Sequence, residues 1–121
     1  MPFVTISLHE GKDNSFIKSL SDIIHTAMVE TIVFPSEVLF HKIHELKKGK
    51  MIYLPEFRNI KRSDDIIFIE CTIKSGSTAE QKEAMFGRIS EDLHAKLNIR
   101  NEDVVIVVRE NSAEDWHLNP S

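Results

Sequence analysis

A residue capable of proton chemistry stands at the second position. Pro2 follows the initiator Met, and a small residue there permits removal of Met1, leaving a secondary amine at the chain terminus. An α-amino group titrates near about 8 in water. An apolar pocket or a neighbouring cation lowers that value by penalising the charged form. Such an amine is a general base near neutral pH, the range where proton transfer is most efficient. Lys74 ends the apolar run IIFIECTI, where an ammonium can polarise a carbonyl or hold a carboxylate. Arg62, in KRSDD, either meets a substrate or pairs with Asp64 or Asp65. Trp116, the only tryptophan, lies in a polar stretch where an unanchored indole is out of place; it walls a pocket or packs at a subunit contact.

Other reactive residue types read as structural. His41 and His44 lie three apart on a predicted strand, so they point to opposite faces and cannot converge on one ion. Their HKIHE setting also lacks zincin spacing, and no metal site is expected. Cys71, inside an apolar strand, reads as a small hydrophobe. As the only cysteine it excludes an internal disulfide and a thiolate zinc cluster, and it suits a reducing compartment. The four glycines form no phosphate loop. Fifteen Lys and Arg against nineteen Asp and Glu give a net charge of −4, with no call for nucleic acid. The run from Val104 to Val108 is too short to span a bilayer, and the first residues carry no basic prefix of a signal peptide. The expectation is a cytoplasmic protein without membrane or nucleic-acid partners.

The elements that must position Pro2 and Lys74 follow from periodicity. Residues 2–8 alternate, with Pro2, Val4, Ile6 and Leu8 on one face, and predict a strand starting at the terminus. Asn14 or Ser15 can cap the next segment. There Phe16, Leu20, Ile23, Ile24 and Ala27 recur at helical spacing until the chain nears Phe34, before Pro35. A second strand is expected over Leu39–Leu46, then a turn at KKGK, the short apolar stretch MIYL and a connecting loop over 55–65. IIFIECTI predicts a strand, and Thr78 with Gln81 a capping box. Met85, Phe86, Ile89, Leu93 and Leu97 mark a second helix, Asn98 to Asp103 a turn, and VVIVV the last strand.

The order is β-α-β, linker, β-α-β, and a shift of 65 residues superimposes the halves. Leu8-His9-Glu10-Gly11 falls on Ile73-Lys74-Ser75-Gly76, and Pro2 falls on Ile67. The chain therefore reads as one domain over residues 1–121, with pseudo-repeats at about 2–46 and 66–110. Its class is α+β (α/β), with duplicated β-α-β units forming a four-stranded sheet and two helices on one face. Each unit needs parallel strands joined by a right-handed crossover. IIFIECTI and VVIVV are apolar on both faces, the mark of strands buried on both sides. No sequence remains for a third layer, so another subunit is expected on the second face.

At this point the residues carry a resemblance. PFVTISLHEG, the duplicated βαβ order and GSTAEQKEAMFGRISEDL resemble the tautomerase superfamily. The fused length, KRSDDIIFIECTI and the late SAEDW are most similar to its malonate semialdehyde decarboxylase-like branch. The resemblance implies trimers of fused βαβ units in which the amino-terminal proline, here Pro2, is the acid or base, and a pocket wall that includes Trp116. It also locates departures. The branch's Asp position holds Val38, beside Glu37, and its two Arg positions fall near Lys74 and Gly76. Lys74 keeps one positive charge without the planar fork that grips a carboxylate bidentately. Tautomerisation on the proline needs fewer of these groups than decarboxylation or hydration does. The expected function is thus keto-enol proton transfer on a small unsaturated or 2-oxo carboxylate by a homotrimer. Lys74 or backbone N–H groups would hold the oxyanion, and no metal or organic cofactor would be required. The rivals are a decarboxylase or dehalogenase on the same proline, and a non-catalytic oligomeric binding protein of the same fold.

Overall fold

The computed structural model describes residues 2–119; Met1 and its removal, with Pro120 and Ser121, lie outside the described residues. Strand β1 (Pro2–His9) leads into helix α1 (Asn14–Ile32) and strand β2 (His41–Leu46). The linker carries a small hairpin of β3 (Glu56–Phe57) and β4 (Ile60–Lys61). Strand β5 (Ile67–Lys74), helix α2 (Ala79–Leu97) and strand β6 (Val104–Asn111) complete the chain. The main sheet runs in the order β2-β1-β5-β6. β1 is parallel to β2 and β5 is parallel to β6, while the central pair β1 and β5 is antiparallel. This is two βαβ units joined edge to edge.

The 65-residue shift holds to the residue. It carries β1 onto β5, α1 onto α2, and cap Asp13 onto cap Thr78. Gly11 and Gly76 both have positive φ, at 120° and 130°, backbone that favours glycine at the turn out of each leading strand. Alternation explains the core. Val4, Ile6 and Leu8 of β1 and Ile67, Ile69, Cys71 and Ile73 of β5 point into the helix side. They meet Leu20, Ile24 and Met28 of α1 and Met85, Ile89 and Leu93 of α2, each set spaced by four. Burying an aliphatic side chain of this kind stabilises by roughly 1.5–3 kcal/mol.

Several boundaries differ from the sequence reading. Asp13, not Asn14 or Ser15, caps α1, accepting from the Phe16 N–H at 2.8 Å. The helix ends at Ile32 and β2 begins at His41 rather than Leu39. The loop expected over 55–65 pairs with itself because Arg58 and Asn59 adopt positive φ at the hairpin tip. β6 continues past the apolar run to Asn111, because ladder pairing with β5 continues to Lys74.

The second sheet face also departs from expectation. Part of it is covered by the chain itself: Met51 is buried, Ser7 is buried beneath the sheet surface, and the Tyr53 ring meets Phe68 edge-on at 6.3 Å. Elsewhere the face is mixed. Glu70 pairs with Arg109 at 3.0 Å across β5 and β6, and Phe3 stacks on Phe40. Val107, Leu39 and Leu54 stay exposed, and β2 and β6 are the outer strands of the sheet.

Candidate active site

Pro2 is buried at the start of β1 and lies opposite Ile73 in the antiparallel ladder. Lys74, the last residue of β5, therefore sits one step beyond it. Each helix runs back along its leading strand, so the end of α1 and the beginning of α2 meet at this edge of the sheet. Ile32, Val33 and Phe34 from the first, and Ser75, Gly76, Ser77 and Gln81 from the second, close a cavity of about 210 Å³ around Pro2 and Lys74. Val33 holds φ 50°, ψ 102°, a conformation that costs a β-branched residue energy and fixes the lip of the cavity.

Two features of the cavity favour negative charge. Lys74 is exposed and forms no ion pair among the described residues. Beside it, α2 begins, the positive end of a helix dipole. Thr78 caps that end reciprocally with Gln81, at 3.1 and 2.9 Å. A positive field at this end favours an anionic ligand and disfavours a protonated amine.

Lys74 also lines a second, adjoining hollow of about 360 Å³, with Ala113, Trp116, His117, Leu118 and Asn119. The Trp116 indole is anchored: its Nε1–H donates to Asn111 Oδ1 at 2.6 Å. Asn111 lies opposite Lys74 in the β5–β6 register, and its carbonyl accepts from the Ser75 N–H at 2.8 Å. One asparagine thus ties the tryptophan, the lysine strand and the turn after it together. Sequence reading missed Asn111 because it ended the last strand at Val108; the signal is an amide residue five positions before an otherwise unanchored Trp.

Pro2, Lys74 and Trp116 are brought to one edge. Arg62 is not: within one protomer it lies by the other end of β5, an eight-residue strand that spans roughly 25 Å. Its guanidinium donates to the Glu102 carbonyl rather than to Asp64 or Asp65, and Asp65 pairs with Lys12 at 3.3 Å. Next to it the buried Asp103 carboxylate accepts from the Ser63 N–H at 2.7 Å and the Ser63 hydroxyl at 2.6 Å, locking the linker onto the second unit.

Cys71 is wholly buried in the core, and burial pushes its thiol up to about 12. His41 faces α1, where its Nδ1 lies 2.8 Å from the Ser21 hydroxyl, while His44 is exposed. Burial first, then the neighbouring His25, pulls the His41 imidazole down to about 4, against the opposing pull of Asp22. A larger cavity, of about 760 Å³, opens at the end of the sheet away from Pro2.

Known proteins resemble this chain along nearly its whole length. Two family descriptions, each a tautomerase enzyme family, match residues 39–118 and residues 2–57. A Bacillus subtilis (strain 168) protein, YusQ, described as a probable tautomerase, is 37% identical over 116 residues, covering 96% of this chain and 91% of its own. A crystal structure of malonate semialdehyde decarboxylase superimposes with a TM-score of 0.92 at 24% identity, covering 98% of this chain and 91% of that one. A fused 4-OT described as an asymmetric trimer superimposes with a TM-score of 0.79 at 19% identity, covering 96% and 91%.

Proposed function

This chain belongs to the tautomerase family, and from that premise we propose that it is a cofactor-independent tautomerase of small unsaturated or 2-oxo carboxylates, with Pro2 as its acid and base. The observation that carries the reading is the shared cavity of Pro2 and Lys74 beside the start of α2. The lone pair of a free Pro2 amine takes the hydroxyl proton of a dienol. The electron pair moves along the conjugated chain, and the far carbon takes the proton back from the prolinium. No electron leaves the substrate, so its own carbonyl is a sufficient sink. Lys74 holds the developing oxyanion or the carboxylate, supported by the dipole of α2. Trp116, anchored by Asn111, walls the outer part of the site.

The second reading is decarboxylation on the same proline, favoured by the fold likeness to malonate semialdehyde decarboxylase. Processed protein assayed against a 2-hydroxydienoate and against a 3-oxo acid separates the cases. Ketonisation of the dienol without release of CO2 supports the tautomerase. Release of CO2 from the 3-oxo acid at a higher kcat/KM supports the rival, and turnover of neither leaves a binding protein.

The working unit in this reading is a cytoplasmic homotrimer. Exposed Val107 on the outer strand β6 and exposed Leu39 just before the outer strand β2 favour association, as does the trimeric fused 4-OT of the same fold. Sedimentation as a stable 13.9 kDa monomer at micromolar concentration would overturn the assembly.

A further inference from the structure

The duplication reproduces the Pro2 cavity as well as the strands and helices. Each of the ten residues lining that cavity has its counterpart, 65 positions away, in the lining of the large cavity at the opposite end of the sheet. Pro2, Ile32 and Phe34 are answered by Ile67, Leu97 and Ile99, and Ile73, Lys74 and Gly76 by Leu8, His9 and Gly11. The counterpart has no chain terminus, so it lacks the amine. It is larger, about 760 Å³, within the range of small-molecule sites.

Its rim differs in charge. Lys74, Ser75 and Ser77 of the first cavity become His9, Glu10 and Lys12, so a rim with one charge becomes a rim with both signs. Other charges in the lining are already satisfied: Lys12 pairs with Asp65, Arg100 pairs with Glu102 and Asp103, and Asp103 is also held by Ser63. Lys48, Glu10 and Asp64 also line this cavity, and their side chains join no ion pair among the described residues. The His9 ring is held by its Nδ1, which donates to the Asp64 carbonyl at 2.7 Å. Beneath lies an apolar floor of Leu8, Ile66, Ile67, Leu97 and Ile99.

We propose that this cavity is a second, non-catalytic binding site for a small zwitterion with an apolar body, an apolar α-amino acid. Lys48 takes the carboxylate, Glu10 and Asp64 take the ammonium, and the floor takes the side chain. A purely anionic ligand suits the Pro2 cavity and would meet two carboxylates here; a purely cationic one would meet Lys48. The duplicated frame supplies the shape, and the altered rim supplies a different selectivity.

The test uses the intact oligomer with its Pro2 nitrogen blocked by retained Met1, so that binding is read without turnover and independently of the proposed catalysis. L-phenylalanine titrated calorimetrically should saturate at one equivalent per protomer. In an isotope-edited spectrum the methyl signals of Leu8, Ile67 and Ile99 should move, and those of Ile32 and Ile73 should not. N-acetyl-L-phenylalanine and L-phenylalaninamide, which each lose one charge, should bind at least about tenfold more weakly. Lys48→Ala should weaken L-phenylalanine by a similar factor without changing the weak binding of the amide. Absence of saturable binding, shifts confined to Ile32 and Ile73, or equal affinity for all three probes would overturn the proposal.

Discussion

At positions 65 residues apart, Pro2 opens one leading strand and Ile67 the other, and the proposed proton transfer uses only the first. The two units share the bounds of their leading strands and helices, the positions of their N-caps and the inward rows of their strands, and they diverge where each unit meets solvent. After α1 the chain leaves through Val33 at φ 50°, ψ 102°; after α2 it leaves through Asn98 at φ 55°, ψ 34°, a left-handed conformation asparagine tolerates. The first strand ends on His9 with Glu10 after it, and its counterpart ends on Lys74 with Ser75 after it. The comparison teaches that the repeat holds in the packed interior of both units, while residue types diverge at the sheet ends, where no packing constraint enforces identity.

The interior half of this comparison gives the largest expected effects. Ile24 and Ile89 are counterparts, and each is fully buried between its helix and the sheet. Ile24→Ala and Ile89→Ala should each cost about 2–5 kcal/mol in denaturant unfolding, and nearly the same as each other. A difference as large as either cost would break the equivalence of the two halves.

At the divergent ends, Lys74→Ala should lower kcat/KM by about 10²-fold, the order expected for losing one donor to an oxyanion. A rise in KM alone would assign it to carboxylate binding, and Lys74→Arg should retain or improve that binding through its fork. Lys74→His, which imports the residue of the second cavity, should leave turnover that improves as the imidazole gains its proton. Unchanged kinetics in Lys74→Ala would remove this lysine from the site.

The smallest effect lies between these extremes, at His41, whose counterpart is Ile106. An imidazole held at about 4 in the native chain and near the usual 6.5 when unfolded binds a proton more readily in the unfolded state. Its contribution is therefore complete above pH 6.5 and is lost as pH falls towards 4. His41→Gln, which can keep a bond to Ser21, should flatten the fall of Tm over that window. An unaltered pH dependence would show that His41 is not the titrating group.

Much of this was legible in the sequence because the determinants were local. Period-two and period-four apolar spacing, the Thr78–Gln81 box and the 65-residue offset fix both units and so bring Pro2 beside Lys74. What escaped reading depends on pairing that spacing cannot reveal. Asn111 acquires its role only because the β5–β6 register sets it against Lys74. Arg62 belongs to the opposite end because the Ser63–Asp103 bonds pin the linker there. Tyr53 covers Phe68 because the linker folds back over the sheet, a contact between residues with no shared period.

The central claim is that a free amine on Pro2 performs the proton transfer, and it is tested most directly at that nitrogen. Processed protein and protein with Met1 retained, each terminus verified by mass spectrometry and each shown to have the same oligomeric state, are assayed on one 2-hydroxydienoate across pH. Acylation turns the amine into an amide that is not basic, so the blocked protein should fold and assemble yet lose nearly all turnover. The processed protein should show an ascending limb in kcat/KM that reports the amine of the free enzyme, and the blocked protein should lack it. Equal rates in the two proteins would contradict the account.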